Sequence, residues 1–160
     1  MVDKTQLHID KGICDTQGKI FEYACHIGYD LKLFSDYFLN SSFCNKSFDA
    51  KIPRYIFEDE ETCMEILFWK KPDSEKEALK SNIYSNPDIG YWFEYTYRQF
   101  AIVSGLPSAE LNKRLDFDKL LVNYEAHHTI DEWDSIQMLC KFYKINMLPE
   151  YANYIEFLNQ

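Results

Sequence analysis

Apolar residues recur at Ile20, Ala24, Ile27, Leu31, Phe34 and Phe38, stepping by four and three in turn. That rhythm predicts one helix of about five turns with these side chains along a single face. Gly28 falls inside it, tolerated at about 1 kcal/mol or marking a kink. The polar run "NSSFCNKS" then ends the helix, because its side chains compete for backbone hydrogen bonds. After Pro53, "FEDEETCMEILFWKKP" places acids first and Lys70 and Lys71 last, the order a helix dipole favours, with Pro72 as the stop. "SEKE" at 74–77 has the spacing of a capping box and predicts a short polar helix to about Ser81.

The most legible stretch is "NPDIGYWFEYTYRQFAIVSGLP". Asn86 suits a cap, Pro87 the first helical position, and Gly105 with Pro107 the exit. Ile89, Trp92, Thr96, Phe100 and Val103 share a face that Phe93 and Tyr97 widen, so this is the expected central helix, nearly surrounded by the others. Residues 107–115 and 116–125 predict two short helices, the second capped by Asp116. Trp133, Ile136, Cys140 and Tyr143 define another, and Pro149 opens a last one through Tyr151, Tyr154, Ile155 and Leu158. The first eighteen residues give no decisive period and are compatible with a loop, a small hairpin or a frayed helix. The expectation is a single all-α domain over residues 1–160, an irregular or orthogonal bundle of about seven or eight helices.

Composition sharpens this picture. Apolar residues make up 46 % and aromatics 17 %, too rich for a disordered chain, while five Gly and five Pro leave little material for hairpins. The net charge of −9 repels nucleic acid and anionic lipid and attracts cationic partners. Five cysteines at irregular spacing, without C-x-x-C, and an N-terminus lacking an apolar signal core lead us to expect free thiols in a reducing cytoplasm. No apolar run approaches the roughly 20 residues needed to span a bilayer.

Candidate chemistry is sparse. "EAHHTIDEW" at 125–133 gathers two histidines and three acids, yet adjacent histidines point apart on a helix and the spacing is not that of H-E-x-x-H. Thr129 with Glu132 reads as a second capping box, Asp131 as a favourable first-turn charge, and His127 and His128 as the end of the preceding helix. Cys25-His26 reads as a buried thiol rather than a nucleophile with its base, because adjacent residues on a helix cannot hydrogen-bond side chain to side chain in that way. "YWFEYTY" reads as core more readily than as a platform for bases, and Lys113-Arg114 in "GLPSAELNKRL" is too little charge to anchor a duplex. No phosphate loop or G-x-S-x-G is found. No catalytic residue, metal ligand or cofactor is therefore expected.

The acids remain. Glu58, Asp59, Glu60, Glu61 and Glu65 form a block without a base among them, and between Asp116 and Asp134 six acids, including Asp118, Asp131 and Glu132, face only Lys119. They read either as solvated helix starts or as a surface for a basic protein. With the clusters "EDEETCME" and "HHTIDEWD", the chain resembles in class the cognate immunity proteins of bacterial toxin systems, above all those of contact-dependent growth inhibition. The resemblance implies a stoichiometric inhibitor, monomer or weak dimer, that covers the active site of a cationic toxin domain, an RNase in the first instance. The acids would pair with toxin Lys and Arg, with Trp69 or Tyr91 as apolar anchor. The alternatives are a metal-dependent enzyme using His127, His128 and Glu125, and a helical adaptor.

Overall fold

The computed structural model describes residues 1–51 and 58–160, and Pro53 with Phe57, the first residue of the acidic stretch expected to be helical, lies outside the described residues. These form an irregular, orthogonal all-α bundle around one hydrophobic core. Its elements are α1 (Lys4–His26), α2 (Leu31–Leu39), a π-helical segment (Cys44–Asp49), α3 (Glu60–Leu67), α4 (Asp73–Ala78) and α5 (Pro87–Ser104). They continue with α6 (Ser108–Arg114), α7 (Phe117–Leu121), α8 (Tyr124–His127), α9 (Glu132–Tyr143) and α10 (Pro149–Leu158). Among the described residues no helix is long and apolar enough to cross a membrane.

The helices number eleven among the described residues rather than seven or eight, for three local reasons. The single helix expected from Ile20 to Phe38 is broken at Gly28, whose φ of +97° suits glycine and turns the chain. Asp30 then caps α2 by accepting from the Leu33 N–H at 2.9 Å. "NSSFCNKS" does end α2, but its second half winds into the π-helical segment. The helix expected over 116–125 divides into α7 and α8.

Of the N-terminal eighteen residues, which show no clear period in sequence, those from Lys4 onward belong to α1. Asp3 caps it by accepting from the Gln6 N–H at 2.8 Å. Its period is masked because α1 buries polar residues, Asp10, Thr16 and Gln17 among them; Asp10 meets Tyr151 of α10 and Gln17 meets Glu94 of α5. The two expected capping boxes are also corrected. α4 begins at Asp73, one residue before Ser74, with Pro72 at the cap and no side-chain bond there. α9 is capped by Asp131, not Thr129: its carboxylate accepts from the N–H groups of Trp133 (2.8 Å) and Asp134 (3.3 Å).

α5 is the central helix, with boundaries set as expected by Asn86, Pro87 and the left-handed Gly105. Phe93, Tyr97, Phe100 and Val103 are fully buried, whereas Ile89 and Trp92, expected on the same face, are only half-buried. α1 packs along it over most of its length. A Cβ on Gly18 would stand 2.8 Å from the Tyr91 ring, and one on Gly90 3.0 Å from Cys25 Sγ, so both glycines permit this close approach. α6, α8 and α9 pack against α5, and α2 and α3 against α1.

A buried polar network crosses this pair. Glu94, fully buried on α5, accepts from Gln17 Nε2 of α1 and Ser35 Oγ of α2, each at 2.7 Å. Arg98, one turn on, donates to Gln17 Oε1 at 2.7 Å and to Asp49 at 2.7 Å in an ion pair. Its other nitrogen reaches Ser108 Oγ at 2.6 Å. Asp49 also accepts from the Ser108 N–H, so one arginine ties the π-helical segment to α6.

Candidate functional site

One face of α1 carries Lys11, Asp15, Gly18 and Glu22; the matching face of α5 carries Asp88, Tyr91, Tyr95 and Gln99. At Gly18 the Tyr91 ring lies directly against α1, and a groove opens to either side of the α1–α5 contact. Its outer end, about 440 Å³, is walled by Tyr91, Trp92, Tyr95, Tyr124 and His128, with Glu22 and Asp88 at the sides. Trp92 meets Tyr124 edge to face at 5.4 Å, and His128 stacks on Tyr124 at 4.3 Å. A second, more enclosed end of about 250 Å³ continues between α1, α5, α9 and α10. Tyr95 and Lys11 line both, so the two depressions adjoin.

The polar groups of the groove are held in place by their neighbours. Tyr91 donates its hydroxyl to Asp15 at 2.5 Å, and Asp15 is also paired with Lys19 at 2.9 Å. Those two donors hold the Asp15 carboxyl below its usual range, against the opposing effect of burial. Tyr95 donates to Glu132. Burial and these carboxylate acceptors push both phenols upward, so they remain neutral donors. Asp10, deep at the inner end, accepts from Tyr151 at 2.6 Å and Gln6 at 2.8 Å and pairs with Lys51 at 3.3 Å.

Of the residues singled out from sequence, Tyr91, Glu132 and His128 lie in this groove, and the exposed Asp131 and Asp134 flank it at the start of α9. The others lie elsewhere. Glu58, Asp59, Glu60, Glu61 and Glu65 surround the start of α3, where Glu61 accepts from Tyr23 of α1 at 3.4 Å. Asp116 and Asp118 sit at the start of α7, where Asp118 pairs with Lys32 at 2.8 Å. Asp59, Asp116 and Asp131 are all helix caps, so three of the acids have a structural task. The Thr62 N–H on Asp59 holds that carboxyl below its ordinary value. Glu58, Glu60, Glu65 and Asp134 have no hydrogen bond or ion pair among the described residues, which leaves their charge free for a partner.

The two expected aromatic anchors differ. Trp69 is 71 % exposed, in a separate depression beside Tyr37 and Phe43. Tyr91 is half-buried with its hydroxyl engaged, so it serves as groove wall rather than as a protruding anchor. Sequence reasoning assigned "YWFEYTY" to the core, and Phe93 and Tyr97 are there; Tyr91, Trp92 and Tyr95 instead line the groove. The signal for this was the i, i+3, i+4 spacing of Asp88, Tyr91, Trp92 and Tyr95, a mixed acidic and aromatic face.

The histidines of "EAHHTIDEW" have local partners. His127 Nδ1 lies 2.9 Å from Ser135 Oγ, and His128 Nδ1 lies 2.7 Å from the Tyr124 carbonyl oxygen. Burial lowers the His127 pKa. Among the described residues no three His, Cys, Asp or Glu side chains converge as metal ligands would. Cys25 is buried, and desolvation pushes its thiol up to about 12, far from a thiolate nucleophile. Comparison with known proteins returned no matching family, no related curated sequence and no solved structure of matching fold.

Proposed function

We propose that this protein is an immunity-type inhibitor that binds a cationic protein, a nuclease toxin domain in the first instance, through the acidic and aromatic face centred on the α1–α5 groove. The observation that supports it most is the groove's composition: five aromatic rings walling its outer end beside Glu22 and Asp88. Ring faces and carboxylates together suit ammonium and guanidinium groups. A net charge of −9 steers such a partner toward the surface, and the unpaired acids of α3 and α9 extend the attraction beyond the groove.

The test is co-purification with the product of the gene immediately upstream, followed by association kinetics over a range of salt. Lysine replaces the unpaired acids Glu58, Glu60, Glu65 and Asp134, while the caps Asp59 and Asp131 become asparagine, which still caps a helix. Association should slow by roughly ten-fold or more at low salt, with little change in dissociation. Unchanged kinetics would remove these acids from the interface. Failure to co-purify any basic partner would count against the inhibitor reading itself.

A further inference from the structure

The inner end of the groove contains a side chain whose hydrogen-bonding capacity is unused. Gln99 is 7 % exposed, lines this cavity, and has no hydrogen-bond partner among the described residues. Its amide atoms keep contact with solvent, since the Tyr97 hydroxyl is the one fully buried side-chain group without a partner among the described residues, and so they are open to water or to a ligand. Beside it Glu132 engages one oxygen, Oε2, with Tyr95, and its second oxygen accepts from no described residue. Trp133 and Tyr154, in edge-to-face contact at 5.1 Å, contribute aromatic walls. Asp10 has its own hydrogen bonds already made and its charge paired with Lys51 at 3.3 Å, so the carboxylate open to a ligand here is that of Glu132. Lys11 and His8 are exposed and so stand at the rim of this end, and Lys51 is engaged by Asp10.

From this we infer that the inner cavity is a receptor for one arginine side chain of the cationic partner, an inference that rests on the proposed function and specifies its anchor. The volume of about 250 Å³ is below that of a pocket for a drug-sized molecule and accommodates one long side chain. A guanidinium presents several donors in one plane, so it can reach the Gln99 carbonyl oxygen and the free Glu132 oxygen together while its face lies on an aromatic ring. A lysine ammonium supplies the charge without that planar fork. A carboxylate ligand is opposed by Glu132, and a neutral amide draws no benefit from its charge.

The probes are N-acetyl-L-arginine methylamide and the corresponding lysine compound, titrated into the isotope-labelled full chain and followed by amide NMR. The arginine compound should give saturable shifts of the Gln99 side-chain NH₂ and the Trp133 indole N–H, and the lysine compound should bind more weakly. Gln99→Leu should weaken arginine binding roughly ten-fold, as loss of a hydrogen bond to a charged group does. Glu132→Gln, which keeps an acceptor for Tyr95, should weaken it as well, with native spectra confirming that each variant is folded. Absence of saturable shifts at Gln99 and Trp133, or equal affinities for both probes in wild type and Gln99→Leu, would overturn the arginine pocket. Poly-L-lysine provides the separating control. If it binds with steep salt dependence while the arginine probe leaves Gln99 unmoved, the pocket fails and the acidic-face reading stands; a saturable arginine site without polycation binding supports the pocket and counts against the wider acidic face.

Discussion

Glu94 is a carboxyl sealed inside the α1–α5 pair, and its titration carries a stability consequence. Burial pushes its pKa from 4.5 up to about 7, against the lowering influence of Ser35, Gln17 and Arg98. The folded chain therefore holds this proton more tightly than the unfolded one. Its contribution to stability is fully present below about pH 4.5 and is lost as pH rises through about 7. The size is on the order of 3 kcal/mol. Glu94→Gln should flatten that part of the pH dependence, measured as urea midpoints between pH 5 and pH 8. Steeper dependence in the variant would contradict the assignment. Tyr97 makes the opposite case. Its hydroxyl is buried with no hydrogen-bond partner among the described residues, so Tyr97→Phe removes a desolvated polar group and keeps the ring packed on Phe93. Chemical denaturation should show unchanged stability or a gain of up to about 1 kcal/mol.

Among the elements, α5 was readable almost to the residue because its signals are local: a capping asparagine, a proline behind it and a left-handed glycine at the exit. α1 was not, since it buries Asp10 and Gln17 against partners on other helices, and no window of sequence contains those partners. The groove was half legible. The period of Asp88, Tyr91 and Tyr95 is in the sequence, but whether an aromatic face meets core or solvent depends on how α1 and α9 flank it. The α1–α2 corner is likewise a tertiary choice, since an uninterrupted apolar stripe of correct period passes straight through it. Gly28 decides the matter through backbone conformation alone, for a Cβ there would meet nothing within 4 Å. Gly28→Ala should thus cost about 1 kcal/mol from φ strain without any clash. At this chain length that corresponds to a drop of roughly 2–4 °C in Tm by calorimetry. A much larger drop would mean that the corner has packing constraints beyond its dihedral angles.

At the scale of the whole molecule, all five cysteines are free and buried. Desolvation pushes the thiols of Cys25, Cys63 and Cys140 up to about 12 and that of Cys44 up to about 11. Reaction with a thiol reagent such as DTNB should therefore be negligible on the minute scale in native buffer and reach five equivalents in guanidinium. Prompt modification of one thiol in the native state would reveal local opening of the helix that bears it. The hydrogen bonds joining the two longest helices have a consequence of another kind. Tyr91 to Asp15, Gln17 to Glu94 and Arg98 to Gln17 bridge 76, 77 and 81 residues of chain. A growing polypeptide exposes α1, with its half-polar surface, long before the segment that covers it has been synthesised, at about 5–20 residues per second. For several seconds that helix has no native mate. Chain assembly here is therefore governed by a distant encounter rather than by neighbours zipping together, which sets this bundle among the slower helical folders.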